Sequence, residues 1–535
     1  MKPARPGSAL EALLLAAGFI SLASCATVPV AAPQRADLLI VGGTVYDGVS
    51  EEPRRVDVAV TGDRISFIGS ARGMRAVRTI DAAGLVVAPG FIDPHTHSDE
   101  DLASDDPQRR VLANHLMQGV TTIVTGNDGN GSPEVGQRLD RVRERGAGAN
   151  VATYVGFGAV RRRVVGEGDR RPKDPELQAM RQLVASAMCD GALGFSTGLY
   201  YVPQSYSRTD EVVALAREAA LRGGIYDSHL REEGSAGIGL LEAIDEAISV
   251  GRSAGLPVHI AHIKALGVEA HGQAQAAIAR IEAARARGLR VTADHYPWTA
   301  SGTRLTSAFV PGWALDGGRD SLRSRIADAS VRPQLEREVA EGIRRRGGAQ
   351  AALLTGGSHR GHRLDDIARE WSLSPAAAAL RIIAEEGDAP IASFNMSEAD
   401  VAAFRVQPWV VTGSDASAGH PRKFGSFARA WELFARERGL LTPGIFIRRS
   451  SGLTAEILGL TDRGVLRRGS FADIVLFDPA AFAARANYDD PTALAAGVRT
   501  VLINGTVAVD EGRPTGALAG RPLAKPRNPS WSCPN

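Results

Sequence analysis

Short apolar runs rich in β-branched residues and broken by glycine occupy both ends of the chain. Near the N-terminus they read DLLIVGGTVYDG, RRVDVAVTGDRISFIG and AGLVVAPG, and near the C-terminus GVLRRGSFADIVLFD and VRTVLINGTVAVDEGRP. Such runs between tight turns predict antiparallel strands. Neither group is long enough to close a sandwich alone. The pattern therefore predicts one small β-sandwich domain built from residues 37–88 and 456–535.

Between these regions, apolar strand candidates alternate with helical stretches rich in alanine, glutamate and arginine. The strand candidates include GVTTIVTGN, NVATYVGFG, GALGFSTGL, GGIYDSHL, LPVHIAHIK, LRVTADHYP and PWVVTGSDA. Alternating β and α units predict a parallel sheet, and about eight units in succession predict a (β/α)8 TIM barrel. We assign residues 89–455 to this α/β barrel.

Two further segments complicate the barrel. The run GLVVAPGFIDPH is interpreted as its first strand, and with APIASFN the chain offers nine strand candidates, one more than the barrel needs. Residues 303–357 lack the alternating pattern. We therefore predict that this segment forms an inserted subdomain.

Length and charge limit the possible functions. A chain of 535 residues predicts one large domain with a smaller companion. Its 62 basic and 60 acidic residues nearly balance, so no strong field would attract nucleic acid or anionic lipid. We predict a protein without a nucleic-acid partner.

The first residues, MKPARPGSALEALLLAAGFISLASC, place two basic residues before a short apolar run. That run is too short to span a bilayer, but it fits a secretory signal. Its end, LASC, resembles the bacterial lipobox, although a plain cleaved signal is the alternative. We predict a signal peptide over residues 1–25, lipidation of Cys25 and a tether over residues 26–36. The protein would then be exported to the periplasm, and its only membrane contact would be the lipid anchor.

Only two cysteines remain once Cys25 is set aside. They are Cys189 and Cys533, which are too few for a disulfide framework. We expect a buried thiol at Cys189 and a thiol in the C-terminal tail at Cys533, without pairing.

Ionisable side chains stand at the ends of five strand candidates. These side chains are His95, His97, Asp128, His229, His262 and Asp415. In a TIM barrel the carboxyl ends of the strands meet at one mouth. Packed there without a cation, the group would carry a large desolvation and repulsion cost, which a divalent metal removes. Imidazole and carboxylate suit zinc, though not uniquely.

Motifs along most of the chain then point to a family. They are GFIDPHTHSD, GALGFSTGLYYVP, DSHLREEG, IAHIKALG, DHYPWTASGT, FNMSEADV and SDASAGHPRKFGSFAR. The sequence resembles the amidohydrolase superfamily and, more closely, its N-acyl-D-amino-acid deacylases (D-aminoacylases). The resemblance covers nearly everything after Ala36. It implies the same fold, a barrel with a small β domain assembled from both termini.

By position, the resemblance implies a role for each residue of the cluster. His95 and His97 would form one half of a metal site, and His229 and His262 the other half. Asp415 would be the proton shuttle and a possible ligand. In this family a zinc ion polarises the scissile amide carbonyl while water loses a proton to the aspartate. One or two divalent ions, zinc foremost, are therefore implied.

The sequence departs from the family pattern at two places. The family has Gly-Asn-Cys-Gly after the second strand, with cysteine as a ligand, where this chain has Asp128. Relatives elsewhere in the superfamily bridge two ions with a carboxylated lysine or a glutamate on the fourth strand. That strand here, GALGFSTG, has neither, so the resemblance leaves Asp128 as the candidate bridging ligand. The alternative is that Asn-Asp-Gly is an ordinary turn. Relatives also tend to have histidine at the position of Phe157, and the loss of a polar contact there bears on the identity of the substrate more than on the chemistry.

Substrate contacts follow from the same resemblance. Tyr201 and Lys264 match positions that contact the amino-acid carboxylate, an anion that a cation and a hydroxyl suit. The alternatives to substrate binding are that Tyr201 is a capped loop residue and that Lys264 is a solvated lysine. His420 and Arg422 would either contact substrate or brace their loop.

The leading hypothesis is a metal-dependent hydrolase of N-acyl-D-amino acids. The alternatives are a dipeptidase acting on D-peptides or isoaspartyl peptides, and a cyclic-amide hydrolase. A deaminase is disfavoured, since no glutamate is placed to protonate a ring nitrogen. A non-catalytic binding lipoprotein is more remote, because a scaffold has no need to keep every polar ligand.

Overall fold

The computed structural model describes residues 35–534, so Cys25 and the predicted signal peptide lie outside the described residues. None of the helices within residues 35–534 combines the length and apolarity that a membrane span requires. The strands are β1 (Arg35–Val41), β2 (Thr44–Val45), β3 (Asp57–Thr61), β4 (Arg64–Gly69), β5 (Arg75–Asp81), β6 (Val86–Pro89), β7 (Phe91–Asp93), β8 (Val120–Thr125), β9 (Asn150–Thr153), β10 (Val155–Gly156), β11 (Gly194–Gly198), β12 (Ile225–His229), β13 (Val258–Ile260), β14 (Val291–His295), β15 (Ala300–Arg304), β16 (Ala352–Leu354), β17 (Pro390–Phe394), β18 (Val410–Thr412), β19 (Ile474–Phe477), β20 (Val498–Ile503), β21 (Thr506–Asp510) and β22 (Arg513–Pro514).

The helices connect and cover these strands. They are α1 (Asp99–Ala103), α2 (Pro107–Arg110), α3 (Ala113–Leu116), α4 (Val135–Arg145), α5 (Phe157–Val164), α6 (Asp174–Cys189), α7 (Thr209–Ala220), α8 (Gly239–Ala254), α9 (Ala274–Ala286), α10 (Leu305–Phe309), α11 (Gly318–Ala327), α12 (Arg332–Arg345), α13 (Leu364–Glu370), α14 (Pro375–Glu385), α15 (Glu398–Arg405), α16 (Arg422–Ala430), α17 (Pro443–Ser450) and α18 (Gly452–Leu458).

Eight parallel strands form the predicted barrel. In order around it they are β7, β8, β9 continued by β10, β11, β12, β13, β14 and β18. A parallel bridge between Thr96 and Ala416, with the His97 amide donating to the Ala416 carbonyl at 2.9 Å, joins the last strand to the first. Because the strands run parallel, all their carboxyl ends lie at one mouth. The TIM barrel prediction is confirmed.

The β-sandwich is assembled from both ends of the chain, as predicted. One sheet has the order β4-β3-β1-β5, and the other has the order β2-β6-β19-β20-β21-β22. In the second sheet β6 from the N-terminal region pairs antiparallel with β19 from the C-terminal region. Ile40 and Val58 of the first sheet share a buried cluster with Ile474 and Leu502 of the second, so neither end has a complete core alone.

The first barrel strand is shorter than we predicted. The apolar run before His95 divides between two sheets: Val86–Pro89 belongs to the sandwich, and only Phe91–Asp93 belongs to the barrel. Gly90 stands at the crossing point, where a Cβ atom would overlap the Thr121 side chain. A continuous apolar run gives no sign of a change of sheet, because both sheets bury it.

The inserted subdomain is larger than the predicted segment 303–357. Its antiparallel sheet, ordered β15-β17-β16, spans Ala300 to Phe394. Helices α10–α14 surround a separate apolar cluster that includes Leu305, Leu335 and Leu364. The ninth strand candidate, APIASFN, is therefore β17 of this sheet. Its apolar pattern resembles that of a barrel strand, and only its pairing partners distinguish the two.

A disulfide joins Cys189 at the end of α6 to Cys533 in the C-terminal tail, with 6.0 Å between the Cα atoms. The expectation of two unpaired thiols was therefore wrong. The tail returns along the barrel: the Leu523 amide donates to the Val151 carbonyl at 2.7 Å, and the Lys525 amide to the Gly191 carbonyl at 2.9 Å. This return path brings the two cysteines together, and no local sequence feature encodes it.

Replacing Cys533 should destabilise the protein. For Cys533→Ser we expect the free energy of unfolding to fall by about 2–4 kcal/mol, because the unfolded chain regains the entropy of an open loop. Urea denaturation with and without reductant measures this. Reductant should lower the urea midpoint of the wild type to that of the variant and leave the midpoint of the variant unchanged. A wild-type midpoint insensitive to complete reduction would contradict the prediction.

Candidate metal centre

Three residues of the predicted cluster follow barrel strands in a left-handed backbone conformation. Their φ angles are 56° at Asp128, 34° at His262 and 48° at Asp415. This conformation is unfavourable for residues other than glycine, by an amount of order 1–3 kcal/mol, and persists where the surrounding structure enforces it. The turns at these strand ends therefore aim the side chains back over the barrel mouth.

His95, His97, Asp128 and Asp415 form one compact group of possible ligands. The Nε2 atom of His97 lies 3.3 Å from Asp128 Oδ2 and 3.2 Å from Asp415 Oδ1. The Nε2 atom of His95 lies 3.4 Å from Asp128 Oδ1 and 3.7 Å from Asp415 Oδ1. Four ligands around a tetrahedral ion with bonds near 2.1 Å would be about 3.4 Å apart, so the spacing suits one cation.

A second group shares Asp128 with the first. It consists of Asp128, His229 and His262. Asp128 Oδ1 lies 3.6 Å from His229 Nδ1 and 3.5 Å from His262 Nε2. Those two ring nitrogens are 2.9 Å apart. The Asp128 carboxylate therefore lies between two pairs of imidazoles, the position that a bridging ligand requires.

Several buried atoms of the cluster have no hydrogen-bond partner among the described residues. They include both ring nitrogens of His95, Asp128 Oδ1 and His229 Nε2. Unsatisfied buried polar atoms are costly and rare in folded proteins. A divalent cation held by imidazole nitrogens and carboxylate oxygens would satisfy His95 Nε2 and Asp128 Oδ1, the two of these atoms that face the other ligands. This donor set suits zinc. The residues present fit a metal centre.

Both aspartates of the cluster are held in the ionised form. Burial alone would raise their pKa values, but interactions with neighbouring side chains outweigh it. For Asp128 the opposing groups are chiefly His95 and His229, and they keep the pKa of the carboxyl well below its usual value. For Asp415 the main opposing group is Arg422, which also keeps the pKa well below normal. The mouth therefore presents two carboxylates.

A layer of polar residues beneath the cluster orients it. Asp294 Oδ2 lies 3.8 Å from His95 Nδ1 and 3.2 Å from His259 Nε2. The Asn127 amide donates to the Pro94 carbonyl at 3.0 Å. Carboxylates behind ligating histidines commonly fix the ring orientation. Sequence reasoning missed Asp294, although it stands near the end of a strand candidate.

The cluster opens into a cavity of about 530 Å³ whose lining includes both predicted substrate-binding residues, Tyr201 and Lys264. Lys264 is buried rather than solvated: its Nζ lies 2.5 Å from Glu233 Oε1 and 2.8 Å from His262 Nδ1. Sequence reasoning also missed Glu233, although it lies in the quoted motif DSHLREEG. The Tyr201 ring packs 4.6 Å from that of His229.

Arg422 and His420 differ in position: one faces the cavity and the other braces the loop. Arg422 lines the cavity, and its Nη1 lies 2.7 Å from Asp415 Oδ2. His420 is buried behind it, where Nε2 lies 3.1 Å from the Ala300 carbonyl and Nδ1 accepts from the Arg422 amide at 3.1 Å. His420 therefore braces the loop, and Arg422 holds the predicted shuttle.

Phe157 lies away from the cavity lining. Its side chain is fully buried at the start of α5 and packs against Phe195, with ring centroids 5.9 Å apart. It is absent from the described residues that line the cavity. The departure from the family histidine is thus accommodated by apolar packing.

Comparison with known proteins agrees with this geometry. The model of an amidohydrolase family (Amidohydro_3) matches residues 78–509. The protein belongs to the amidohydrolase family. It is 35% identical to a D-aminoacylase of Alcaligenes xylosoxydans xylosoxydans, over 91% of this chain and 98% of that protein. It is 32% identical to an N-acyl-D-glutamate deacylase of the same organism, over 90% and 95% of the two chains. The resemblance inferred from the motifs is therefore confirmed.

Solved structures show the same relationship for this amidohydrolase. The N-acyl-D-glutamate deacylase of Bordetella bronchiseptica, solved with zinc and a phosphonate inhibitor, has a TM-score of 0.78 and 30% identity, covering 92% of this chain and 100% of that one. A D-hydantoinase has a TM-score of 0.56 and 16% identity, covering 92% and 99%, which shows the shared fold alone.

Removing the Asp128 carboxylate should weaken metal binding. For Asp128→Ala we expect the divalent metal content per chain to fall by about half or more, because both groups of imidazoles lose their shared ligand. Elemental analysis after dialysis against excess zinc measures this. Asp140→Ala, which removes an exposed carboxylate on α4, is the control. Full metal content in Asp128→Ala would identify Asp128 as a turn residue.

Proposed function

We propose that this amidohydrolase hydrolyses the amide bond of N-acyl-D-amino acids and releases a carboxylate and the free D-amino acid. The observation that carries the proposal is a ligand cluster centred on Asp128 that opens into a cavity with the ionised Asp415 at its edge. The end-to-end similarity to a D-aminoacylase supports the substrate class.

The metal would be held by His95, His97, Asp128, His229 and His262, and we propose zinc as the metal. A divalent ion supplies polarisation of the amide carbonyl and acidification of water. Zinc is supported by the nitrogen and oxygen donors and by the zinc in the related deacylase structure.

Asp415 is proposed to move the proton. Its Oδ1 faces His95 and His97, while Oδ2 is occupied by Arg422. Oδ1 can therefore accept a proton from attacking water and later deliver it to the departing amine nitrogen. Arg422 keeps the carboxylate ionised and fixes its orientation, so the group is ready to act as a base.

Tyr201 and Lys264 are proposed to bind the α-carboxylate of the substrate. Both line the cavity close to the ligand histidines: the Tyr201 ring packs on His229, and Lys264 reaches His262. A buried ammonium gives a charge-assisted bond to a carboxylate. Pairing with Glu233 keeps Lys264 in place before substrate arrives.

The alternative functions receive less support. Hydantoinases match the fold at only 16–17% identity. Adenine deaminases match only about 90 residues, for example 91 residues and 17% of this chain at 42% identity. The D-aminoacylase and the N-acyl-D-glutamate deacylase match nearly the whole chain. Dipeptidase activity on D-peptides and cyclic-amide hydrolysis are therefore less well supported.

We also propose that the protein is exported and held at the periplasmic side of a membrane through a lipid on Cys25. The disulfide between Cys189 and Cys533 supports this location, because disulfides persist in oxidising compartments. The lipobox-like end of the N-terminal apolar run supports the anchor.

The proposed chemistry depends on the Asp415 carboxylate. Asp415→Asn should lower kcat for N-acetyl-D-amino acids by about 100-fold or more, since the amide cannot accept the proton, and should leave metal content nearly unchanged. Steady-state kinetics on a panel of N-acetyl-D- and N-acetyl-L-amino acids, with elemental analysis alongside, measures both. Normal turnover by the variant would remove Asp415 as the shuttle, and equal activity on both enantiomers would overturn the D-specificity.

The anchor can be tested in cells. Radioactive palmitate should label the wild-type protein and not Cys25→Ser, because thioether-linked lipid requires the cysteine sulfur. Cys189→Ser is the matched control and should still be labelled. Equal labelling of wild type and Cys25→Ser would contradict the lipid anchor.

A further inference from the structure

Arg346 is a buried cation that faces the cavity without an anionic partner. It follows the last residue of α12 in the inserted subdomain, lines the cavity and is 7% exposed. No carboxylate of the described residues forms an ion pair with it, and its Nη1 atom has no hydrogen-bond partner among them. Buried charges are normally paired, so this one is available for an anion that enters from the cavity.

The guanidinium is held in a fixed position. Its Nη2 donates to the Tyr200 hydroxyl at 3.0 Å, and that hydroxyl donates to the Ser307 carbonyl at 2.7 Å. The guanidinium carbon lies 5.9 Å from the centre of the Tyr200 ring. Tyr200 is therefore a positioning residue. It occupies one edge of the guanidinium and leaves the other free.

None of the described carboxylates that line the cavity forms an ion pair with Arg346, although Glu233 and the neighbouring Glu232 act on it electrostatically and raise its pKa. Six cationic residues and three carboxylates line the cavity. The carboxylates are engaged elsewhere: Asp415 with Arg422, Glu233 with Lys264, and Asp128 within the ligand cluster.

Glu232 lies beside Arg346 in an adjoining cavity of about 80 Å³. Its Oε1 accepts from the Gly234 amide at 2.8 Å and from the Glu233 amide at 3.1 Å. Burial raises the pKa of this carboxyl, while Arg346 acts in the opposite direction. Its Oε1 is thus engaged by backbone amides, and among the described residues it forms no ion pair with Arg346.

We propose that Arg346 binds a second anionic group of the substrate, the side-chain carboxylate, and makes the enzyme selective for N-acyl derivatives of acidic D-amino acids. This inference rests on the proposed function, which assigns the α-carboxylate to Tyr201 and Lys264. Arg346 is linked through Tyr200 to the same side of the cavity, since the rings of Tyr200 and Tyr201 are in contact with centroids 5.5 Å apart. The second anion is therefore placed on the amino-acid part of the substrate rather than on the acyl part.

The test compares Arg346→Gln with the wild type on N-acetyl-D-glutamate and N-acetyl-D-leucine. Loss of a buried charge-assisted bond should lower kcat/KM for the glutamate substrate by about 100-fold, mainly through a higher KM. The value of kcat/KM for the leucine substrate should change by no more than about threefold. Arg346→Lys should recover part of the loss. Arg319→Gln, which removes an exposed arginine of the same cavity, is the matched control and should change the ratio of the two substrates little.

Two kinetic outcomes would overturn the inference. Equal losses on both substrates would assign Arg346 a structural role, such as a partner for Glu232. N-succinyl-D-leucine, measured as a third substrate, carries its second carboxylate on the acyl group, and a loss confined to this compound would move the anion to the acyl group.

If the wild type turns over none of these compounds, the proposed function fails while the anion site remains testable. Calorimetric titration with N-acetyl-D-glutamate should then still show weaker binding to Arg346→Gln than to the wild type. Equal binding would overturn the site.

Discussion

The structure of the site depends on one carboxylate, that of Asp128, which lies between two pairs of imidazoles at the mouth of the barrel. His95 and His97 approach it from one side, and His229 and His262 from the other, all at 3.3–3.6 Å. Such crowding of buried polar atoms is unfavourable without a cation. The barrel tolerates it because β-strand pairing and packing elsewhere stabilise the positions from which these side chains project.

The cavity divides its tasks between two parts of the fold. The barrel strands and the segments that follow them supply the ligand cluster, the base and its arginine, which are the groups that the chemistry needs. The inserted subdomain adds Arg346, which touches none of these groups and faces the substrate space. Groups that choose among substrates are commonly carried by insertions, because an insertion can change without disturbing the barrel.

Much of this arrangement could be predicted from local pattern. Strand ends that finish in histidine or aspartate predicted the cluster, because parallel strands must bring those ends together. The pairing of strands and of cysteines could not be predicted from local pattern. The run before His95 divides between two sheets at Gly90, β17 pairs inside the insert, and Cys533 meets Cys189 only because the tail folds back. No sequence motif surrounds Arg346. Only the structure singles it out, because among the described residues this buried guanidinium has no ion-pair partner.

The aspartate at position 128 also fits the environment that we propose for the protein. The family pattern has a cysteine there, and a thiolate is the softer ligand, with one donor atom and a tendency to oxidise. A carboxylate offers two oxygens, and here Oδ1 faces His95, His229 and His262 while Oδ2 faces His97. It can therefore serve both halves of the site without a redox-active sulfur. In an oxidising compartment, where Cys189 and Cys533 are joined, a free thiol at the metal centre would be exposed to disulfide exchange. In the compartment that we propose, Asp128 would avoid that hazard and would still reach both halves of the site.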